Sequence, residues 1–266
     1  MIDLHIHSKH SHDGKNPIEE FIQKAQNEKV KIIGFAEHLD LDYAPFGIQF
    51  PMINIEKYLK HIAMIKEQTA LKVLCGLEIG YEKSPEIIEK YNQITKDPRI
   101  DFVINSVHLV DGIDYFFPSA YKGKNNKQVY EHYLLTVLGS VKSDVNYNIV
   151  GHIGYIARYA PESFGYIRYP DFADIIDMIL RVLVEKDKCL EINTHTKNPD
   201  MPFIPDIGIV KRYFELGGDK ISFGSDSHTA ERAPMREYTR AGNVLKDIGF
   251  KYLTYYENKT AKHIKI

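Results

Sequence analysis

Two histidines separated by a single residue lie near the start of the chain, in the run Asp3-Leu4-His5-Ile6-His7. Polar and apolar residues alternate through this run, which is typical of a half-buried β-strand, so His5 and His7 point to the same face. Two neighbouring imidazoles at the end of a strand supply half of a site for a divalent ion such as Zn²⁺. The alternative is a strand that shows two histidines to solvent, and the pair alone is compatible with both.

Metal-binding residue types recur at or just after the ends of the later predicted strands. These further candidate ligands are Asp13, His38, Glu78, His108, His152, Asp226 and His228. With the first pair they make six histidines and three carboxylic acids. Because the carboxyl ends of parallel barrel strands meet at one rim, side chains far apart in sequence are expected to surround a single pocket. The pattern therefore predicts one shared metal centre.

This ligand set is larger than a single tetrahedral ion needs, since a catalytic zinc takes about three protein ligands and a water molecule. The set suits about two to three ions. Three divalent ions carry about +6, three carboxylates about −3 and a bridging hydroxide about −1, which leaves about +2 for the substrate. That excess favours a phosphate monoester dianion, whose phosphorus a metal-bridging hydroxide attacks in line. Hydrolysis of an amide or a lactone at such a centre stays open.

Short apolar, β-branched segments alternate with longer segments of helical periodicity, and these elements must position the candidate ligands. The predicted strands are 2–7, 31–38, 72–78, 101–108, 148–152, 188–193 and 220–226. The predicted helices are 17–29, 55–70, 85–95, 127–141, 172–185, 207–216 and 235–248. Strand–helix units of this kind predict parallel strands in a closed or nearly closed α/β barrel. A doubly wound open sheet is the alternative, disfavoured because no glycine-rich turn follows the first strand.

The composition bounds the class of protein. The 266 residues are 44% hydrophobic with a formal net charge of −2, and no basic block indicates a nucleic-acid partner. Cys75 and Cys189 each lie in an apolar run, which predicts buried, reduced thiols. No signal peptide or membrane-spanning stretch is recognisable, so we expect a cytoplasmic protein with no membrane partner. Residues 1–266 are expected to form one domain, and the oligomeric state is not predicted.

The motifs that carry these ligands resemble those of the PHP (polymerase and histidinol phosphatase) family, in particular its monofunctional histidinol-phosphatase branch. They are, in order, Asp3-Leu4-His5-Ile6-His7-Ser8, Ser11-His12-Asp13, Ala36-Glu37-His38, Gly76-Leu77-Glu78, Ser106-Val107-His108, Gly151-His152, Leu190-Glu191-Ile192-Asn193 and Gly224-Ser225-Asp226-Ser227-His228. The resemblance implies a distorted (β/α)7 TIM-like barrel with a trinuclear centre at the carboxyl rim of its strands. It also implies that all the candidate ligands bind metal. For the loop ligand after the first histidine pair, the family has histidine in some members and an acid in others; Asp13 is chosen because it has the matching offset from His7, and the adjacent His12 is the alternative.

Other polar residues near the predicted rim are candidates for substrate contacts. The resemblance implies that an arginine near Arg158 holds the substrate phosphate, and a guanidinium group matches phosphate oxygens well. Arg158, Asp226 and His228 are the predicted catalytic residues, and Arg158 also belongs to the predicted substrate-binding set. Asn193 and His195 complete that set, and they are expected either to contact the substrate or to orient a metal ligand.

Several further residues are predicted to have supporting roles. Glu37 points away from His38 if its strand persists, so we expect it in a structural ion pair. The aromatic runs 43–50 and Tyr115-Phe116-Phe117 are expected to shape the pocket, where an imidazole would stack. His61, on a predicted helix, is expected on the solvated surface.

The leading hypothesis is a metal-dependent phosphomonoesterase that hydrolyses L-histidinol phosphate to L-histidinol and phosphate, a step of histidine biosynthesis. The alternative is a PHP-family phosphoesterase acting on another monoester, such as phosphotyrosine, a nucleotide or a sugar phosphate. An amidohydrolase-like metal hydrolase is less favoured, because such barrels use a carboxylated lysine at a strand end and none is placed there in this sequence. A non-catalytic metal-binding module would lack ligands, whereas every position is filled. The set accepts Zn, Fe or Mn.

Overall fold

The computed structural model describes residues 1–47, 51–196, 203–231 and 237–266. One seven-stranded sheet runs in chain order through β1 (Ile2–Asp3), β2 (Ile32–Leu39), β3 (Lys72–Gly80), β4 (Phe102–Ser106), β7 (Ile149–Val150), β8 (Cys189–Asn193) and β9 (Ile221–Gly224). The remaining strands form two hairpins, β5 (Leu109–Val110) with β6 (Ile113–Asp114) and β10 (Tyr252–Glu257) with β11 (Thr260–Lys265). The predicted helix start at Met235 and residues 48–50 of the aromatic run lie outside the described residues.

The seven-stranded sheet curves into a nearly closed barrel whose first and last strands meet. The amide of Leu4 donates to the carbonyl of Phe223 (N···O 3.0 Å), and Ile6 pairs with Ser227 in an isolated parallel bridge. All the other neighbouring strands of the sheet pair in parallel. This confirms the predicted α/β barrel of strand–helix units and excludes the open doubly wound sheet.

Helices follow the strands around the outside of the barrel. Within the described residues they are α1 (Ile18–Asn27), α2 (Ile55–Gln68), α3 (Pro85–Thr95), α4 (Asn126–Lys142), α5 (Ala173–Glu185), α6 (Ile207–Glu215) and α7 (Tyr238–Ile248). The side chains of Asn54, Asn125 and Asp206 accept backbone N–H groups and so cap the starts of α2, α4 and α6. In the described segments, none of the helices has the length and apolarity that crossing a membrane requires.

Apolar side chains fill the barrel and pack between the barrel and the surrounding helices. β2 and β3 are buried along nearly their whole length, as expected for parallel strands covered on both faces. The ring of Phe102 lies against β3, where a Cβ added at Gly76 would come within 2.2 Å of it. Glycine is therefore required at position 76 for strand and ring to approach so closely.

The predicted strands omit both hairpins. The β5–β6 turn is Asp111-Gly112, with φ of 47° and 77°, so a recognisable hairpin signal lies between the predicted strand 101–108 and the predicted helix 127–141. The β10–β11 turn is Asn258-Lys259, with φ of 50° and 61°. Because this second turn lacks the usual glycine, local sequence gives little sign of it.

Strand register brings candidate ligands from different parts of the chain together. β2 and β3 pair so that His38 lies directly beside Glu78. His108 follows the end of β4, His152 follows β7, and Asp226 follows β9. Because all these strands are parallel, their carboxyl ends meet at one rim of the barrel, and a site can be built there.

Candidate metal centre and active site

The first histidine pair lies just beyond β1 and is completely buried. The ring centroids of His5 and His7 are 5.0 Å apart, and the Nε2 atoms of both approach Oε2 of Glu78, at 3.3 and 3.5 Å. Burial, together with neighbouring His38 and His228, lowers the pKa of His7 to about 3. The His7 ring is therefore neutral and keeps a lone pair for a metal ion.

Glu78 lies at the centre of the cluster. Its Oε2 is 3.2 Å from Nδ1 of His38, while its Oε1 is 3.4 Å from Nε2 of His108 and 2.8 Å from Nε2 of His152. The Ser106 hydroxyl also donates to Oε1 (2.6 Å). Burial alone would raise the pKa of Glu78, but the surrounding imidazoles, His5 first, hold it well below its usual range. Glu78 is thus a carboxylate with one oxygen toward each half of the cluster.

Asp226, His228 and Asp13 form the opposite side of the cluster. Asp226 has a φ of 51°, a left-handed conformation that aspartate tolerates, at the point where the chain leaves β9. Its Oδ1 lies 3.4 Å from Nε2 of His7 and 3.7 Å from Nδ1 of His228. Oδ2 of Asp13 lies 2.9 Å from Nε2 of His228 and 3.8 Å from Nε2 of His38.

The choice between His12 and Asp13 as the loop ligand is clarified by this arrangement. The Asp13 carboxylate joins two histidines of the cluster, whereas Nδ1 of His12 lies 3.7 Å from Oδ2 of Asp40 at the edge of the cavity. The geometry therefore favours Asp13, in agreement with its offset from His7 in the sequence.

Unpartnered buried atoms show that these residues fit metal ions. Nε2 of His5, Nε2 of His7, Nδ1 of His38 and Oδ1 of Asp13 have no hydrogen-bond partner among the described residues. Leaving such atoms unsatisfied costs about 1–3 kcal/mol each, and coordinated cations would satisfy them. Groups of three donors within 4.8 Å of one another include His5, His7 and Glu78; His7, His38 and His228; and Glu78, His108 and His152.

Asp40 is a further donor that the sequence analysis missed. Its Oδ1 lies 3.5 Å from Nδ1 of His38 and 3.8 Å from Nδ1 of His108, and these three residues form another possible ligand group. Because β2 continues to Leu39, Asp40 follows the strand two residues after His38, on the same side.

Glu191 orients two of the candidate ligands from behind. Its Oε1 contacts Nδ1 of His5 at 2.6 Å, and its Oε2 accepts the backbone N–H of His152 at 2.8 Å. The carboxylate therefore fixes the tautomer in which His5 carries its proton on Nδ1 and presents Nε2 to the cluster. A charged residue inside the fully buried strand β8 is the sequence signal that points to such a role.

The carboxylate of Glu37 is completely buried, and the expected ion pair is wrong. Oε1 accepts the Ser8 hydroxyl and Oε2 the Ser11 hydroxyl, each at 2.5 Å, and the Ser8 amide is 3.1 Å from both oxygens. No lysine or arginine among the described residues pairs with it. Alternation along β2 does turn Glu37 away from His38, but it faces the first loop of the chain.

Arg158 is buried and enters the pocket from the 3₁₀ turn Tyr155–Arg158. Nη1 donates to Oδ2 of Asp226 at 2.8 Å, and Nη2 donates to Oδ1 of Asn193 at 3.0 Å. The guanidinium carbon lies 5.5 Å from the ring centroid of Tyr155 and 5.8 Å from that of Tyr159. Arg158 is thus held rigidly beside the cluster, and its Nε has no hydrogen-bond partner in the part of the chain that the structure describes.

Asn193 and His195 lie next to the cluster from the end of β8. Asn193 is completely buried behind Arg158, and its amide nitrogen contacts Oε2 of Glu191 at 3.2 Å. Nδ1 of His195 lies 3.6 Å from Oδ2 of Asp226. Asn193 therefore orients Arg158, and its amide nitrogen also lies 3.4 Å from Oδ2 of the candidate ligand Asp226. Its predicted role in orienting a metal ligand or contacting the substrate stays a prediction.

A cavity of about 230 Å³ opens above the cluster. Its lining includes Glu78, His108 and Asp226 together with five tyrosine and phenylalanine side chains. The aromatic lining residues are Tyr43, Phe116, Phe117, Tyr155 and Tyr159. The expectation that the two aromatic runs shape the pocket is met by Tyr43, Phe116 and Phe117, whereas Tyr115 is buried outside the lining.

Asp114 is the acidic residue of the aromatic side of this cavity, and the sequence analysis missed it. It ends β6, and its Oδ2 accepts the Tyr43 hydroxyl at 3.0 Å while its Oδ1 accepts the Phe116 amide at 2.8 Å. In the described part of the chain no lysine or arginine pairs with it. A fixed carboxylate among aromatic rings is a suitable receptor for an organic cation.

The chain is similar in sequence to a family model and to curated proteins. A family model described as the PHP domain matches residues 3–195. Over 228 residues the chain is 36% identical to a probable histidinol-phosphatase of Clostridium acetobutylicum, with 86% of each chain covered. It is 32% identical to the histidinol-phosphatase of Lactococcus lactis subsp. lactis, with 99% of this chain and 98% of that protein covered.

Solved structures show the same architecture. The crystal structure of histidinol phosphate phosphatase from Lactococcus lactis, complexed with Zn, L-histidinol and phosphate, matches with a TM-score of 0.87 at 30% identity and covers 98% of both chains. A putative histidinol phosphatase from Listeria monocytogenes shares the fold, with a TM-score of 0.78 at 21% identity over 90% of this chain and 99% of that one. The similarity thus extends along nearly the entire chain.

Proposed function

The chain belongs to the PHP domain family, and on that basis we propose that it is a metal-dependent phosphatase that hydrolyses L-histidinol phosphate to L-histidinol and phosphate. The observation that carries the proposal is the convergence of the predicted ligands, with their unpartnered nitrogen and oxygen atoms, into one cluster, seven members of which line a single cavity. The relatives named histidinol-phosphatases align over most of the chain, which supports the same substrate here.

The proposed centre holds about two to three divalent ions, of zinc, iron or manganese. Its ligands are His5, His7, Asp13, His38, Glu78, His108, His152, Asp226 and His228. When bound, such ions supply positive charge for the phosphoryl oxygens and lower the pKa of a coordinated water molecule so that it attacks phosphorus near neutral pH. Glu78, with one oxygen toward each half of the cluster, is assigned the place of a carboxylate shared between ions.

Arg158 is assigned to the substrate phosphate. Asp226 and Asn193 fix its guanidinium group, and two tyrosine rings flank it, so its orientation costs little entropy when the substrate binds. A planar guanidinium pairs with phosphoryl oxygens through parallel hydrogen bonds and stabilises the charge that develops during transfer. Its removal should therefore affect every phosphate monoester alike.

Selection of the leaving group is assigned to the aromatic side of the cavity. L-Histidinol phosphate carries an ammonium group and an imidazole, which suit the Asp114 carboxylate and the neighbouring Phe116 and Tyr155 rings. Nucleotides and sugar phosphates bring no ammonium group for Asp114. A cavity of about 230 Å³ also suits a small monoester better than a phosphotyrosine peptide.

The test is phosphate release from a panel of monoesters after the purified chain has been loaded separately with zinc, iron or manganese. We expect strong preference for L-histidinol phosphate over phosphotyrosine, nucleotides and sugar phosphates. Equal or better turnover of phosphotyrosine or nucleotides would show that the substrate assignment is wrong. Activity that survives complete metal removal would show that the metal assignment is wrong.

We also propose that residues 1–266 act as one catalytic domain, because a single hydrophobic cluster links the barrel to the surrounding helices. The predicted buried thiols are confirmed, since Cys75 and Cys189 are free and buried. Unpaired cysteines are the rule in reducing compartments, which supports the expectation of a cytoplasmic enzyme.

A further inference from the structure

Both oxygens of the buried Glu37 carboxylate accept hydrogen bonds from one short loop. Burying a carboxylate without a cation is costly unless strong hydrogen bonds compensate. Here Ser8 and Ser11 supply them through two hydroxyl groups and one amide. The same loop contains His7 and leads into Asp13, so Glu37 holds the segment that presents two of the proposed ligands.

The Ser11 hydroxyl connects Glu37 to His7. Its single proton is donated to Oε2 of Glu37, and its oxygen accepts the backbone N–H of His38 at 3.0 Å. Nδ1 of His7 lies 3.4 Å from the same oxygen. Because that hydroxyl proton is already committed, only a protonated Nδ1 can bond to Ser11, and this leaves the lone pair of His7 on Nε2.

The Nε2 atom of His7 is the one that faces the proposed centre. It is buried, has no hydrogen-bond partner among the described residues, and lies 3.5 Å from Oε2 of Glu78 and 3.4 Å from Oδ1 of Asp226. His5 obtains the same tautomer through direct contact with Glu191. The two histidines are thus oriented by different carboxylates, one directly and one through a serine.

Ser8 carries the second connection. Its amide and hydroxyl both bond to Glu37, and its carbonyl accepts the Ser11 amide at 2.9 Å, which closes the turn before Asp13. On the far side of Asp13, the Lys15 amide donates to the carbonyl of His228 at 2.9 Å. The position of Asp13 is therefore fixed on one side by the turn that Glu37 holds and on the other side by the segment after β9 that contains His228.

We propose that Glu37 is a positioning residue of the metal centre: through Ser11 it fixes the tautomer that turns Nε2 of His7 toward the ions, and through Ser8 it holds the turn that presents Asp13. The inference rests on the proposed metal centre but on no particular substrate. It is therefore tested by zinc binding and by the state of the His7 ring.

The Glu37→Gln variant tests the relay with little change in shape. The Ser8 amide is 3.1 Å from both carboxylate oxygens, so the two hydroxyl groups decide how the glutamine turns. The Ser11 hydroxyl has a second acceptor in Nδ1 of His7, so we expect the glutamine oxygen to face Ser8 and its NH₂ group to face Ser11. An NH₂ group cannot accept the Ser11 proton, which then turns to Nδ1 of His7 and places the ring proton on Nε2. Zinc must reverse that tautomer to bind, so we expect about 10- to 100-fold weaker retention of zinc against a competing chelator.

The matched control is Glu19→Gln, the same substitution at a glutamate whose side chain is 53% exposed and contacts His61 outside the cluster. Its zinc retention should equal that of the wild type. Long-range ¹H–¹⁵N spectra of histidine-labelled protein report the ring tautomer, with the His7 signals identified by their absence in His7→Asn. Metal-free Glu37→Gln should show His7 protonated on Nε2, and metal-free wild type should show it protonated on Nδ1.

A second pair of variants keeps the test decisive if Glu37→Gln does not fold. Ser11→Thr retains the hydroxyl and should keep wild-type zinc retention and tautomer, whereas Ser11→Ala should lose both. Wild-type zinc retention and Nδ1 protonation in both Glu37→Gln and Ser11→Ala would overturn the proposal. If instead the wild-type chain itself took up no zinc, the metal centre would have failed rather than the relay.

Discussion

The Asp114→Asn variant probes how the enzyme recognises its leaving group. Asparagine keeps the size of the side chain, and its oxygen can still accept the Phe116 amide or the Tyr43 hydroxyl. The substitution removes the negative charge on the aromatic side of the cavity. It leaves untouched the proposed metal ligands and Arg158.

The expected magnitude follows from the charge and its surroundings. Two unit charges about 4 Å apart interact by about 4 kcal/mol at an effective dielectric constant near 20. Desolvation of the substrate ammonium and of the half-buried carboxylate offsets much of this. A net loss of about 1.5–3 kcal/mol, typical of hydrogen bonds to charged groups, corresponds to roughly 10- to 150-fold in kcat/KM. Because the contact is remote from phosphorus, most of the loss should appear in KM.

The assay compares kcat/KM for L-histidinol phosphate and for p-nitrophenyl phosphate in zinc-loaded protein. The second substrate has no cationic group, so its kcat/KM should change by less than about twofold. Asp111→Asn is the matched control, because Asp111 lies in the same hairpin but its side chain is 55% exposed and pairs with Lys83. It should leave both substrates unaffected.

Two results would refute the reasoning about Asp114. If Asp114→Asn lost the same factor on both substrates, the residue would support the cavity rather than recognise a cation. If neither substrate were affected, the ammonium group would be bound elsewhere. In either case hydrolysis of L-histidinol phosphate by the wild type would still stand.

Three further predictions concern the phosphate, acid sensitivity and the thiols. Arg158→Met should lower kcat/KM by about 100- to 1000-fold for L-histidinol phosphate and p-nitrophenyl phosphate alike, and equal activity to the wild type would contradict the phosphate assignment. Burial, with His61 and Lys57 nearby, lowers the pKa of His10 to about 4. Between about pH 6.5 and 4 the unfolded chain therefore binds a proton that the folded chain does not, so the free energy of unfolding decreases as the pH is lowered. Urea unfolding of metal-free His10→Gln should therefore show a smaller loss of stability in acid than the wild type, and identical slopes would contradict a neutral, half-buried His10 ring. Burial also raises the pKa of Cys75 to about 12, so iodoacetamide at about pH 8 should label neither Cys75 nor Cys189 until denaturant is added, as mass spectrometry would show.

The barrel and the cluster of candidate metal ligands could be predicted because both depend on local pattern. Alternation and β-branched residues mark the strands, and parallel topology then requires their carboxyl ends to meet. Histidines and acids at those ends, such as His38 and Glu78, stand out because few other roles use them there. In the structure, all the predicted ligands lie in one cluster although they are far apart along the chain.

The residues that were missed depend on contacts between distant segments. Glu191 lies inside a strand, and its role becomes visible only in the folded barrel, where its carboxylate contacts Nδ1 of His5. The alternation along β2 correctly predicts that Glu37 points away from His38. The sequence does not show that the hydroxyl groups of Ser8 and Ser11 donate to Glu37 in the folded chain. Asp114 follows an Asp-Gly hairpin turn that the sequence does contain, and its place in the cavity is set by how that hairpin folds over the barrel rim.

We propose that the convergent histidines and acids form a multinuclear metal centre, and counting the bound metal ions tests this proposal. The wild-type chain, reconstituted with zinc and freed of loosely bound ions by gel filtration, is analysed by inductively coupled plasma mass spectrometry against protein concentration. We expect about two to three zinc ions per chain, with fewer retained in Glu78→Gln because that carboxylate faces both halves of the cluster. One zinc ion or none in the wild type would contradict it.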